Sequence, residues 1–165
     1  MALEHLWAGW RADFVNEGPR PDCVFCALLE SGRPDTETHI LWRHPEGLAF
    51  AVLNAFPYTS GHLMVLPSRH VANLEDLAAA ESAAIWSGLA GAVTAIKDAY
   101  RPDGLNLGVN LGRVAGAGIP GHFHVHVLPR WNGDTNFMTA VATTRVIPES
   151  LPDTDARLRS AWPDG

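Results

Sequence analysis

The 165-residue sequence predicts a single α+β domain. Three observations lead there. Short apolar strands are punctuated by Pro, Gly and Asn turns, one long Ala-rich stretch ends near Tyr100, and His122 to Val127 alternates strictly between His and Phe or Val. The length is close to the ~150 residues typical of one domain, and no repeat, linker or composition break marks a second. Residues 1–22, rich in Trp and Arg, read as an N-terminal extension wrapping over the core, and 148–165 as a C-terminal tail. With 47% hydrophobic and 18% charged residues the chain is globular, not disordered.

The elements follow in order. His39–Trp42 and Leu48–Leu53 predict strands around the turn His44-Pro45-Glu46-Gly47, a hairpin. His62–Leu66 predicts another strand, closed by Pro67. Asn73 is expected to N-cap the long helix, which runs to about Tyr100 and is stopped by Arg101-Pro102-Asp103-Gly104. Leu105–Leu111 then predicts a strand with Asn106, Gly108 and Asn110 on one side and four apolar residues on the other. A glycine-rich loop, Gly112 to Gly121, leads into the alternating segment, and Pro148–Ala161 predicts a terminal helix.

Charge and composition exclude several classes. The formal charge is −6, and Lys97 is the only lysine, so no basic stripe exists to neutralise a nucleic-acid backbone. A small phosphorylated ligand stays open, because backbone amides, helix N-termini and a few histidines can hold one or two phosphates. The stretch Leu77–Ile96 is interrupted by Glu81, Ser82, Ser87 and two glycines, whereas a membrane span needs about 20 nearly unbroken apolar residues. Met1 to Trp7 lacks a basic region followed by an apolar run, so a soluble, cytoplasmic protein is expected. In that compartment Cys23-Val-Phe-Cys26 suggests a metal pair or idle thiols rather than a disulfide.

The most informative segment is His122-Phe-His124-Val-His126-Val-Leu-Pro-Arg130. As a strand it turns all three imidazoles one way and buries the apolar residues on the other side. One reading is surface histidines on an edge strand, although three in alternation are unusual. A shared metal is disfavoured: same-face positions lie about 6.6 Å apart, so His122 and His126 are separated by roughly 13 Å at the backbone. The third reading makes the central His124 a nucleophile. A neutral imidazole can attack phosphorus near neutral pH, provided its other ring nitrogen is held by an acceptor. That role needs the ring open to a hollow, and the glycine loop, through positions such as Gly116 and Gly118, can bring amides close to phosphate oxygens.

These residues carry a family resemblance. The alternating segment matches a His-φ-His-φ-His-φ-φ pattern, φ being apolar. With Leu6-Trp7, Trp10-Arg11, Cys-x-x-Cys, Asn54-x-x-Pro57, Gly61-His62 and Pro129-Arg130-Trp131-Asn-Gly-Asp-Thr-Asn-Phe137, it resembles the histidine triad superfamily of nucleotide hydrolases and transferases. The similarity is to the bacterial branch related to diadenosine polyphosphate phosphorylases and hydrolases.

The resemblance implies an antiparallel sheet with a long helix packed on it, a homodimer, a nucleoside monophosphate pocket and a covalent nucleotidyl intermediate on His124. It further implies that His126 contacts the phosphate or bridging oxygen, that His62 supports the nucleophile, that Asn54 holds the ribose hydroxyls, and that Asn110 reaches phosphate or ribose. Two departures stand out. Gly118 and Ile119 occupy positions where relatives often carry side-chain donors to the leaving group. The third histidine is retained, which favours hydrolysis or phosphorolysis over sugar-nucleotide exchange.

The cysteines present a decoy. Cys23-x₂-Cys26-x₁₂-His39-x₄-His44 fits zinc-finger spacing. However, Ile40-Leu41-Trp42 is strand-like, five residues put the two histidines on opposite faces of a strand, and the basic charge for DNA contact is missing. The resemblance implies instead a structural zinc held by Cys23, Cys26, His70 and His122, with no obligatory catalytic metal. Idle buried thiols or a redox pair are the competing readings. For the whole chain, the rivals to a nucleotide-processing enzyme are a nucleotide-binding module with vestigial catalysis and a metallohydrolase. Trp7, Trp10 and Trp42 line a binding surface or pack in the core.

Overall fold

The computed structural model describes residues 23–134 and 149–163. The extension 1–22, with Leu6, Trp7, Trp10 and Arg11, lies outside them, as do Thr135–Phe137 and the Pro148 start of the terminal segment. Five strands form one sheet: β1 Ile40–Arg43, β2 Ala49–Leu53, β3 Leu63–Pro67, β4 Gly104–Val109 and β5 Val125–Arg130. Their order is β1-β2-β3-β5-β4, and every neighbouring pair is antiparallel. Helix α1 covers Val24–Glu30, α2 Asp35–Thr38, α3 Ala79–Tyr100 and α4 Leu151–Ala161.

Alternation along the strands sorts the side chains onto two faces. Ala49, Ala51, Leu53, Leu63, Val65, Val125 and Val127 pack with Ala84, Ile85, Leu89, Ala92 and Ile96 of α3 and with Leu158 of α4. Their neighbours Phe50, Val52, Met64 and Leu66 join Ile40 and Phe25 on the opposite face. β1 breaks step: a bulge between Ile40 and Trp42 lets Leu41 and Trp42 both reach the helix side. Trp42 stacks on Trp162 there, ring centroids 6.3 Å apart, so it is a packing residue. Two helical glycines make room: a Cβ on Gly88 would sit 2.7 Å from the Trp42 ring, and one on Gly91 3.2 Å from Trp162. By length and composition α3 could cross a membrane, but Ala84 to Ile96 form the core against the sheet.

The helix boundaries hold one correction. Asn73 does not cap α3; it precedes a 3₁₀ turn, Leu74–Asp76, and α3 starts at Ala79 behind an Ala78 N-cap. Ala78 has no capping side chain, so Glu81 supplies the acceptor. Its carboxylate takes the Ala78 N–H at 2.9 Å and the Arg69 guanidinium at 2.7 and 2.8 Å. At the other end Arg101 adopts the left-handed conformation and returns its N–H to Lys97 O at 3.0 Å. The terminal helix begins at Leu151, where Ser150 Oγ accepts the Asp153 N–H.

Candidate active site and metal cluster

Ladder pairing of β5 starts at Val125, three residues later than the alternation suggests. The preceding residues are held by the 68–71 loop instead, with Phe123 N–H donating to Val71 O at 2.6 Å. The alternation persists through the junction. Phe123 enters the helix-side core, while His122, His124 and His126 lie on the face of Phe25 and Met64. His124 and His126 meet edge to face, centroids 4.9 Å apart.

The rings are more enclosed than an open nucleophile requires: His122, His124 and His126 are 1%, 5% and 8% exposed. The reason is α1, whose Phe25 packs 5.4 Å from His122 and 5.5 Å from His124. Among the described residues Ser60 Oγ is the only fully buried side-chain nitrogen or oxygen without a partner. Among the described residues His124 makes its hydrogen bond through Nδ1, and none is made by its Nε2.

Fixed partners assign the ring protons. A carbonyl can only accept, so His124 donates Nδ1–H to His122 O at 2.7 Å and keeps its lone pair on Nε2. His122 donates Nε2–H to Pro67 O at 2.8 Å and presents Nδ1. A backbone amide can only donate, so His62 Nδ1 accepts the Tyr58 N–H at 3.1 Å. His62 then donates Nε2–H to His126 Nδ1 at 2.9 Å, which leaves the His126 proton on Nε2. Burial pushes the pKa of both His122 and His124 down, outweighing their carbonyl partners, and keeps them neutral near pH 7.

Asn54 ends β2 beside this chain. Its Oδ1 accepts the Phe56 N–H at 3.0 Å, and its Nδ2 lies 3.4 Å from both His62 ring nitrogens. Gly61, at φ +78°, turns the chain into His62 and packs against the Tyr100 ring, where a Cβ would lie 3.0 Å away. On β4, Gly108 stands opposite His126, and a Cβ there would meet nothing within 4 Å, so the sheet surface beside His126 is open. Continuing that register sets Asn110 level with His124. In the glycine loop the amides of Gly116 and Ala117 close on Arg113 O and Gly112 O. Gly116 thus shapes the turn, Gly118 is exposed, and Ile119 packs toward Phe25's cluster.

The second cluster adjoins the first. Cys23, Cys26, His70 and His122 bring one donor atom each to within 4.8 Å of the others. Cys23 Sγ is 3.3 Å from His122 Nδ1, and Cys26 Sγ is 3.4 Å from His70 Nδ1 and 3.8 Å from His122 Nδ1. Bonds of about 2.3 Å to sulfur and 2.0–2.1 Å to nitrogen in a tetrahedron set donors about 3.3–3.8 Å apart, so the set fits a tetrahedral metal ion. Burial, then the Cys23 sulfur, pushes the Cys26 thiol up to about 11, so a cation must displace its proton. The Pro67 carbonyl orients His122 from behind. His39 and His44 take no part: His39 caps α2 and pairs with Asp155 at 3.2 Å, and His44 lies against Trp42.

A cavity of about 570 Å³ beside the β1–β2 turn, lined among others by Leu29, Arg43, His44 and Ser68, contains none of these site residues. Phe25 and Tyr58 were not singled out by the sequence reading. Tyr58 lies 4.7 Å from His62 and 6.1 Å from His126, ring to ring, and its position between Pro57 and Gly61-His62 was the available signal.

Four imidazoles with fixed tautomers beside a Cys₂His₂ cluster, on one face of a five-stranded antiparallel sheet, define a histidine-triad protein. Residues 33–133 match the HIT domain model, and the chain belongs to that family. It is 42% identical over 168 residues to a Mycobacterium tuberculosis protein named AP-4-A phosphorylase, covering 97% of this chain and 85% of the relative. It is 32% identical to Adenylylsulfatase HINT3 of Arabidopsis thaliana over 113 residues, 68% of this chain and 54% of that one. The crystal structure of a Zn-bound histidine triad family protein from Mycobacterium smegmatis aligns with a TM-score of 0.67 at 27% identity, over 85% of this chain and 92% of the other.

Proposed function

We propose that this chain is a nucleotidyl hydrolase or phosphorylase acting at the α-phosphate of a purine nucleotide conjugate. One observation carries the reading: His124 is held neutral with its lone pair on Nε2, next to His126 with its proton on Nε2. His124 Nε2 attacks the α-phosphorus while the bond to the leaving group breaks, and His126 Nε2–H donates to the departing oxygen. The resulting imidazolium is stabilised by its Nδ1–H bond to His122 O. An acceptor then attacks phosphorus and the N–P bond breaks; water yields a nucleoside monophosphate, phosphate a diphosphate. Substrate approaches along the open surface beside Gly108, with Asn54 and Asn110 toward the ribose and phosphate and Gly118 at the loop.

The relative named AP-4-A phosphorylase supports a diadenosine polyphosphate substrate, and the one named adenylylsulfatase supports a wider range of leaving groups. The enclosure of His124, with Gly118 and Ile119 in place of side-chain donors, favours a second reading as a catalytically weak nucleotide-binding module. Incubation with diadenosine tetraphosphate, adenylyl sulfate and adenosine phosphoramidate, with and without phosphate, separates them. Turnover that falls at least about a thousandfold in His124→Ala supports the enzyme. Binding without turnover supports the module.

Zinc suits the Cys23, Cys26, His70 and His122 donors, and the Zn-bound neighbour from M. smegmatis supports that identity. Bound there, it ties α1 to the segment carrying His124 as a structural element. We also infer a single-domain cytoplasmic homodimer. Among the described residues the outer edge of β4 has no strand paired to it, and β4 exposes Leu107 and Val109, with Leu111 just beyond, as an associating edge does. Light scattering after gel filtration tests the dimer.

A further inference from the structure

We propose that Tyr58 is a positioning residue: its main-chain N–H and its ring together hold the His62–His126 pair in a single proton arrangement. The inference rests on the nucleotidyl-transfer reading for its kinetic consequence, but not for its structural one. Two hydrogen-bonded neutral imidazoles can share their protons in two directions, because each ring nitrogen serves as donor or acceptor. An amide N–H cannot reverse. While Tyr58 N–H stays 3.1 Å from His62 Nδ1 and water is kept from that nitrogen, the arrangement with a proton there is disfavoured, and the His62 proton points at His126 Nδ1, 2.9 Å away. The donor of His126 is thereby committed to Nε2, the nitrogen assigned to the leaving group.

The ring completes the device. It tilts over His62 at 4.7 Å and lies nearly parallel to His126 at 6.1 Å and 27°, covering the pair on one side. Water admitted there would offer both nitrogens an alternative partner. The backbone around Tyr58 is fixed by the following turn, in which His62 N–H donates to Thr59 O at 3.2 Å and Gly61 takes φ +78°.

Nitrogen-15 NMR of histidine-labelled protein tests this without substrate. In the wild type His62 and His126 are expected to be protonated on Nε2 alone; a proton on His62 Nδ1 overturns the proposal. Tyr58→Ala keeps the amide but removes the ring, so water can compete for His62 Nδ1 and a second arrangement should appear, with kcat falling about 10- to 100-fold and KM changing less than about threefold. Tyr58→Phe, which keeps the ring as well, should restore both readouts. An alanine variant with wild-type tautomers, an effect confined to KM, or a phenylalanine variant no better than alanine contradicts it. If Tyr58→Ala does not fold, Tyr58→Leu and the wild-type spectrum decide. If the wild type turns over nothing, the functional reading fails while the tautomers still decide this one.

Discussion

On the helix side of the sheet, Leu63, Val65, Val125 and Val127 meet aliphatic residues of α3; their neighbours in sequence, His62, Met64, His124 and His126, face the other way. The first face is held by shape, as the fit of Trp42 and Trp162 against Gly88 and Gly91 illustrates. The second buries polar rings, which is tolerable only if each nitrogen has a role as donor, acceptor or ligand. Carbonyls of Pro67 and His122 and the amide of Tyr58 supply that assignment. One alternation therefore yields a face that stabilises and a face on which protons have addresses.

Changes on either side should separate these roles. The largest effect is expected from His124→Ala, which removes turnover while leaving the thermal midpoint within a few degrees and nucleotide binding measurable by calorimetry. Next comes the metal cluster. Chelation, or Cys23→Ser with Cys26→Ser, should lower the melting temperature by about 10 °C or more, since loss of a tightly held ligand costs about 3–4 kcal/mol. Activity assayed well below that temperature should persist; complete loss there would favour a metallohydrolase.

On the helix face, Gly88→Val forces a side chain into space filled by the Trp42 ring and Val65 and should cost about 1–3 kcal/mol in urea unfolding. Turnover per folded molecule should not change. The smallest effect is Glu81→Gln. The Arg69 guanidinium, then the Ala78 amide, holds the Glu81 carboxyl below its usual range despite burial. A depressed carboxyl stabilises above its unfolded pKa and loses that contribution as pH falls through the folded value. Arg69 is more than half exposed, so about 1 kcal/mol is expected at neutral pH, vanishing at the acid end of a melting series.

Much of this was legible in the residues. The β1–β2 hairpin, the stop at Arg101, the presence of a terminal helix ending at Ala161 and the shared face of the three histidines follow from periodicity and turn chemistry. The start of α3 did not, because its cap is Glu81 reaching back, whereas Asn73 invited a side-chain cap that the chain uses for a 3₁₀ turn. The late start of β5 depends on Val71, a partner distant in sequence. His70 as a donor came only through resemblance, since nothing in its spacing links it to Cys26. The enclosure of His124 was missed because Phe25 arrives from another element.

A bond between His124 Nε2 and phosphorus can be trapped during turnover. Wild-type protein mixed with a labelled adenylylated substrate and quenched in alkali should gain one nucleotidyl group on the peptide spanning residues 122–130, absent from His124→Ala. Turnover with no adduct at any quench time, or an adduct that survives in the alanine variant, would contradict it.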